Sequence, residues 1–489
     1  MIASRTAKSS RRRLVSALSA ASTVLMVGWG FLLLPAEAAA QRTDEPFPDP
    51  IPETEGAIVV NFTEFATVPD FEGGPPRMME LRGEPGTDRL FVNDMWGVLY
   101  SVSHDGGTVT EYVDLTDSRW GVDVEARGSE RGFQNFALHP QFAEEGTPGY
   151  GKFYTYVDVS DTGPEADFTT RHDQVSHHTV VHEWTAESAG AARYDGEPPR
   201  EVMRFAQPYG NHNAGELGFN PRATPGDEDF GMLYMGVADG GSGGDPMDLA
   251  QDMTSAFGKI FRIDPLGSDS DNGKYGIPSD NPFVGEGDAL PEIYAYGVRN
   301  PQRFDWDPDN GNLFLADIGQ NIVEELTLVP EGADLGWNDW EGSFEFISRQ
   351  AVDVSNPRGD PSVTYPVAEY GHGDPVLLPG GRAAVTGVHV YRSDEIPELR
   401  GRVIFGDNPS GEIFHISADD LPDGGEDSIR RILLNDGGEE KTLLELVQEK
   451  TREQGREVPD QADLRFGSDS EGRLYLLNKF DGTIRLLVP

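Results

Sequence analysis

The sequence predicts an all-β protein, and three observations carry that prediction. Runs such as Glu292 to Tyr296, Arg303 to Trp306, Asn312 to Ala316 and Leu326 to Val329 are short, rich in aromatic and branched residues, and separated by polar turns such as DPDNG. That spacing suits strands and never sustains a helix. One phrase also recurs, a short strand centred on Leu followed by Tyr or Phe between two polar turns: TDRLFVNDMWG at 87–97, FGMLYMGVADGG at 230–241, NGNLFLADIGQ at 310–320 and EGRLYLLNKFDG at 471–482. Finally, 58 glycines and 35 prolines in 489 residues demand many turns, because neither residue suits the interior of a strand or helix. Repeated hairpins without helical periodicity between them fit a β-propeller, in which four-stranded sheets surround a central channel. Length allows about six to ten such sheets, and periodicity leaves the count open.

Taken from the N-terminus, Arg11, Arg12 and Arg13 precede an apolar stretch from Leu14 to Leu34, and AEAAA at 36–40 offers a small-residue cleavage site. This predicts an export signal over residues 1–40; SRRRLV is compatible with twin-arginine export as well as ordinary secretion. The apolar stretch is also about the length of a membrane span, so an uncleaved anchor is the alternative. No later segment approaches that apolar length, so no span is expected in the mature chain. Residues 41–56 are proline-rich and acidic and read as an extended linker. The folded domain is expected over 57–489, opening with AIVVNFTEFATV, a strand placed to close the domain against its C-terminal end. One helix is predicted, KTLLELVQEKTREQ at 441–454, with an apolar stripe opposite a charged face.

A formal net charge of −45 argues against nucleic acid or an anionic membrane surface as partner, since both would repel the chain. With no cysteine, a disulfide framework and thiolate metal sites are excluded. No GxSxG elbow, phosphate loop or HExxH motif is present, which disfavours the chemistries those motifs serve.

The remaining chemistry gathers in two stretches. FAQPYGNHNAGELGF at 205–219 places His212 in a turn before a strand. A neutral imidazole titrating near 6.5 is suited to taking a proton near neutrality; a turn histidine bonded only to backbone is the alternative. Asp239 ends the next predicted strand, and its carboxylate would fix the imidazole's tautomer if neighbouring strands bring the two together. In VRNPQ, Arg299, Asn300 and Gln302 combine a planar guanidinium with amides suited to carboxylate or carbonyl oxygens; a salt bridge between repeats would use the same residues. The Asp-rich turns at 239–248, 269–273 and 307–311 offer oxygen ligands to a hard cation, but they lack a complete EF-hand loop and use the residues that plain turns select. Trp337 and Trp340 read as core aromatics, with a pocket wall as the alternative.

Several of these motifs together resemble the soluble pyrroloquinoline quinone (PQQ) dependent glucose/sorbosone and aldose sugar dehydrogenases and the hedgehog-interacting-protein-like propellers. The likeness runs in order through RGFQNFALHPQF, NHNAGELGF, ADGGSGGDPMDLAQ, GKIFRIDP, PEIYAYGVRNPQRFDWDP, ADIGQNIVEE, LGWNDWEG, AVTGVHVYR, GRVIFGDNPSGEIF and LRFGSDSEGRLYLL. The resemblance implies a six-bladed β-propeller and an exported enzyme that oxidises an aldose to its lactone, with PQQ and calcium as cofactors and an unidentified electron acceptor. It implies His212 as general base, Asp239 as its orienting partner, and Glu130 at the substrate. Arg299, Asn300, Gln302 and Arg465 are implied at the quinone, and Gly319 and Gln320 as calcium ligands through their carbonyls.

Three departures accompany the matches. Pro409 and Ser410 stand where the sugar dehydrogenases carry a lysine, Gln320 stands where the soluble glucose enzymes carry proline, and a second arginine near Arg465 is missing. These bring the closing motifs nearer to the hedgehog-interacting-protein-like branch, which uses the propeller as a binding surface for carbohydrate or protein. That non-catalytic reading is the alternative.

Overall fold

A computed structural model describes residues 43, 45–128, 130–171, 174–213 and 215–489. The export segment expected over 1–40 lies outside the described residues. Within them the chain is nearly all-β with one short helix.

The strands form successive antiparallel meanders. Met78–Gly83, Leu90–Asp94, Val98–Val102 and Val109–Asp114 pair in order, as do Phe133–Leu138, Lys152–Val159, His177–Thr185 and Arg200–Gln207. Next come Leu217–Phe219, Leu233–Val237, Lys259–Ile263 and Ile293–Tyr296. These are followed by Pro301–Trp306, Leu313–Asp317, Val323–Leu328 and Ala368–Gly371, and by Val385–Tyr391, Arg402–Asp407, Ile413–Ser417 and Arg430–Asp436. The last meander, Arg465–Ser468, Leu474–Leu477 and Thr483–Val488, takes its fourth strand from the other end of the chain. Ile58–Thr67 pairs antiparallel with Thr483–Val488 and parallel with Arg430–Asp436, as AIVVNFTEFATV predicts.

Aromatic and branched runs become strands because both of their faces are covered. Leu90–Asp94, Leu233–Val237 and Leu313–Asp317 are buried along their whole length. Each apolar cluster joins neighbouring meanders: Phe91 and Tyr112 meet Phe133 and Trp184, Tyr156 and Phe205 meet Leu233 and Phe261, Tyr234 meets Phe304, and Phe314 meets Phe405. Ile404 and Ile432 meet Phe466 and Leu474, and Met78 and Val92 meet Tyr475 and Ile484. The series therefore returns to its first member. Face-to-face burial of this kind supplies the dominant favourable term, at roughly 25 cal/mol per Å² of apolar surface.

Register puts one end of every meander at a common type of position. The start of each first strand lies opposite the end of the second: Met78 faces Asp94, Pro301 faces Asp317, Val385 faces Asp407 and Arg465 faces Leu477. The register shifts at the start of four first strands, at Met78/Glu80, Phe133/Asn135, Pro301/Arg303 and Val385/Gly387. Such bulges bend a strand and re-aim its side chains, here where the candidate site residues stand.

The predicted helix spans Leu443–Glu453 and starts with a capping box between Thr442 and Glu445. Leu443, Leu446 and Val447 fit into the cluster formed by Leu434, Leu464 and Leu487. No helix of the described residues is long and apolar enough to cross a membrane. An insertion between Val323–Leu328 and Ala368–Gly371 forms a small sheet of Trp340–Glu341, Phe344–Ser348 and Ala351–Asp353.

The proline-rich stretch read as a linker lies against this body from Thr43 onward. Thr43 donates its N–H to Gln350 O at 3.0 Å, Phe47 packs edge-tilted on Phe344, and buried Ile51 donates to Asp374 Oδ2 at 2.8 Å. Docking gathers carboxyls: burial, then Asp374 and nearby Glu45, push Glu426 up to about 9. An unfolded glutamate titrates near 4.3, so between about 4.5 and 9 the folded chain binds more protons than the unfolded one. Stability from this group is fully present below that window and is lost as pH rises through it. Relative to Glu426→Gln, the wild-type protein should lose up to about 1.4 kcal/mol per pH unit between roughly pH 5 and 8. Urea unfolding at stepped pH measures this, and parallel curves for the two proteins would remove Glu426 from the linkage.

Candidate active site

A buried carboxylate or amide stands at or next to the end of the second strand in every meander: Asp94, Asp158, Asp239, Asp317, Asp407 and Asn478. In four of them it binds the backbone entering the first strand. Arg77 N–H donates to Asp94 Oδ1 at 2.8 Å, Gly132 N–H to Asp158 Oδ2 at 3.0 Å, and Ala384 N–H to Asp407 Oδ2 at 2.9 Å. Asp317 takes two, from Arg299 N–H at 2.8 Å and Asn300 N–H at 2.6 Å.

Asp239 is used differently. Its Oδ1 accepts Gly241 N–H at 2.9 Å and lies 2.6 Å from His212 Nδ1, while Oδ2 accepts the indole N–H of Trp337 at 3.0 Å. The tight turn after it requires glycine, because Gly241 has φ +99° and a Cβ there would stand 2.4 Å from Asn211 O. Burial pushes the acids at these positions up, Asp94 to about 6, Asp317 to about 7 and Asp407 to about 6. Burial acts on Asp239 in the same direction, but His212, Arg299 and the Gly241 N–H outweigh it and hold its carboxyl below the ordinary range. The loop therefore keeps a negative charge beside the imidazole.

His212 sits in the turn before Leu217–Phe219 with φ +58° and is 4% exposed. Glu130 Oε2 accepts its backbone N–H at 2.7 Å, and neighbouring Asn213 is anchored by its Nδ2 at 2.7 Å from His177 Nε2. Arg299 Nη2 lies 2.8 Å from His212 Nε2. A guanidinium only donates, so Nε2 is the acceptor and Nδ1 carries the proton given to Asp239. Among the alternatives for His212, the structure selects the histidine–carboxylate pair.

Arg299 is fixed from three sides. Its Nη1 donates to Ile318 O at 2.8 Å, its guanidinium carbon lies 5.6 Å from the Trp337 ring centre, and its backbone is tied to Asp317. Trp337, read from sequence as core, thus contacts both Asp239 and Arg299. Arg299 Nε, Asn300 Oδ1 and Gln302 Oε1 are buried without a hydrogen-bond partner. Gln320 is buried, and its Oε1 accepts Gly244 N–H at 2.6 Å, linking the loops after Asp239 and Asp317. Gly319 is packed so closely that a Cβ would stand 1.6 Å from Val323 O. Among the described residues no hydrogen bond reaches the carbonyl oxygens of Gly319 or Gln320. No group of three or more His, Asp or Glu side chains is placed to hold a metal there or elsewhere in the described residues, so a hard cation would rest on those carbonyls.

Arg465 belongs to a second group. Its Nη2 lies 3.2 Å from Asp463 Oδ1, as does Lys479 Nζ, and Asn408 Nδ2 donates to the same oxygen at 2.9 Å. Arg465 Nε is unpartnered. Burial, with Arg303 and Arg77 nearby, lowers Arg465 to about 10. Between the groups stands an ionic cluster that sequence reasoning missed. Arg303 Nε is 2.9 Å from Glu80 and 3.3 Å from Glu216, and Arg82 reaches Glu216 at 2.6 Å. No short-range motif marks it, because its members come from different meanders. A cavity of about 700 Å³ lies at the opposite ends of the first strands, against Arg82, Phe219, Trp306, His389 and Ser468. It does not include His212.

Fold and site define a β-propeller carrying a buried His–Asp–Arg site at one end of its sheets. The chain belongs to the Glucose / Sorbosone dehydrogenase family, whose profile matches residues 77–436. It is 31% identical over 363 residues to the HIPL1 protein of Arabidopsis thaliana, covering 66% of this chain and 49% of that one. The apo-form of the soluble aldose sugar dehydrogenase from Escherichia coli has a TM-score of 0.60 at 20% identity, covering 88% of this chain and 99% of that one. The PQQ-bound aldose sugar dehydrogenase from Streptomyces coelicolor has a TM-score of 0.55 at 20% identity, covering 87% and 96%. These structural likenesses show a shared fold. The chain spans about half the length of the first curated relatives it matches.

Replacing Asp239 by Asn would leave His212, Arg299 and Trp337 facing a neutral amide. Asp239→Asn should destabilise the protein by about 2 to 4 kcal/mol and change tryptophan emission through Trp337. Asp248→Asn, at an exposed position of the same loop, should do neither. Chemical denaturation followed by fluorescence distinguishes these outcomes, and equal stability of the two variants would refute the buried-charge assignment.

Proposed function

We propose that the chain is an exported quinoprotein aldose dehydrogenase built as a six-bladed propeller over residues 57–489, preceded by an export segment over 1–40 and a connecting stretch over 41–56. The observation that carries the reading is the fixed tautomer of His212, which leaves Nε2 as a basic atom beside Arg299. The six successive meanders and the return of Ile58–Thr67 to the C-terminal strands support the blade count, and the export segment supports a periplasmic or extracellular location.

The residues present fit an anionic quinone. Arg299, Asn300 and Gln302 offer buried unpaired donor and acceptor atoms, Arg465 offers an unpaired Nε, and the Gly319 and Gln320 carbonyls suit calcium. PQQ, when bound, supplies the two-electron oxidant that takes hydride from the sugar's anomeric carbon. His212 Nε2 takes the proton of the hydroxyl on that carbon as the carbonyl of the lactone forms. Asp239 stabilises the resulting imidazolium through Nδ1–H and holds the ring in place. Arg299 Nη2 lies against Nε2, so substrate binding must draw the guanidinium away. Glu130 fixes the turn that presents His212, and its carboxylate would receive a sugar hydroxyl. Burial of His212 and Asp239 excludes water from the proton's path.

A second reading, a propeller that binds carbohydrate or protein without redox chemistry, is favoured by the similarity to the HIPL1 protein and by Pro409 and Ser410 in place of a lysine. Titration of the purified protein with PQQ and calcium, followed by aldoses and a dye acceptor, separates the two. Saturable quinone binding and dye reduction are expected, and their absence selects the binding propeller. His212→Gln should abolish nearly all turnover with little change in melting temperature; an active variant would exclude His212 as base.

A further inference from the structure

We propose that Lys479, together with Arg465, holds a carboxylate of the polycarboxylate ligand, substituting for the lysine absent at Pro409. This rests on the quinone-dependent reading above.

The first support is topological. Lys479 lies in the turn between Leu474–Leu477 and Thr483–Val488, the second and third strands of its meander. The turns carrying Asp239 and Gly319–Gln320 occupy the same position in theirs, and so does the turn carrying Pro409 and Ser410. Arg465 opens its first strand and Arg77 immediately precedes Met78–Gly83. These residues therefore share the end of the meanders where His212 and Arg299 stand.

The second support is local geometry. The Pro409 turn closes on itself: Ser410 donates to Asp407 and Pro409 O accepts Ala462 N–H, so that turn offers no cation. Its neighbour Asn408 instead binds Asp463 at 2.9 Å, and Lys479 Nζ meets the same Oδ1 at 3.2 Å. The replacement thus reaches the edge of the turn that lost the lysine, from the next meander.

The third support is charge. Lys479, Arg465 and Asp463 are all buried. Both cations contact the one carboxylate of Asp463, and a buried excess of one sign is costly until an opposite charge completes it. Burial, only partly offset by Asp463 and reinforced by Arg465 and Arg77, brings Lys479 down to about 7. Asp463 by itself is already met by Arg465 and Asn408, so neutralising it does not require Lys479. A polycarboxylate accepted at this end of the meanders would satisfy Arg465 Nε and the ammonium together.

The test measures binding to the full chain without turnover. PQQ and, as a redox-inert tricarboxylate, citrate are titrated into wild type, Lys479→Met and Lys479→Arg, following tryptophan fluorescence, with melting curves confirming that each variant is folded. Loss of one charged contact predicts PQQ affinity at least about tenfold weaker in Lys479→Met, largely restored in Lys479→Arg. Equal affinity in wild type and Lys479→Met would overturn the assignment while leaving the dehydrogenase reading intact. Wild type binding citrate through Lys479 but not PQQ would keep the carboxylate site and overturn the quinone reading. No binding of either anion would overturn both.

Discussion

The fold depends on a recurring contact between a buried acid at the end of each second strand and the backbone entering the first. Asp94, Asp158, Asp317 and Asp407 each accept N–H groups that the bulged start of a first strand leaves outside the ladder. An unpaired buried N–H costs about 1 to 3 kcal/mol, so these carboxylates stabilise a backbone that is irregular by design. They also set the geometry of one face, because in these four meanders the backbone entering the first strand is held at a fixed distance from the acid across from it.

The candidate site is this device redirected. At Asp239 the entering chain does not satisfy the carboxylate; His212, Trp337 and Gly241 do. The consequence is electrostatic. Asp94, Asp317 and Asp407 are pushed up by burial, whereas Asp239 is held down by the cationic and donor groups around it. A scaffold position that elsewhere organises backbone becomes one that orients an imidazole.

Charge is distributed along the same face in two groups. His212 and Arg299 stand on one side, Arg465 and Lys479 on the other, with Glu80, Glu216, Arg82 and Arg303 balancing each other between them. That central cluster sets two acids against two guanidiniums. In the outer groups Arg299 Nε and Arg465 Nε have no hydrogen-bond partner.

Sequence by itself determined the strands, the closing N-terminal strand, the helix and the repeated phrase, two of whose terminal acids, Asp94 and Asp317, are buried clamps. It also brought out His212, Asp239, Arg299 and Gln320, because a local rule marks each: a polar residue in a glycine turn at a strand end. Only the tertiary structure decided which of these touch. It joined His212 to Arg299 across 87 positions and Asp239 to Trp337 across 98, separated Arg465 into its own group, and brought Lys479 to Asp463. The reason is physical: strand alternation and turn chemistry act over a few residues and leave a trace in the sequence. Pairings between meanders are set by how whole sheets pack, and no short-range pattern records them.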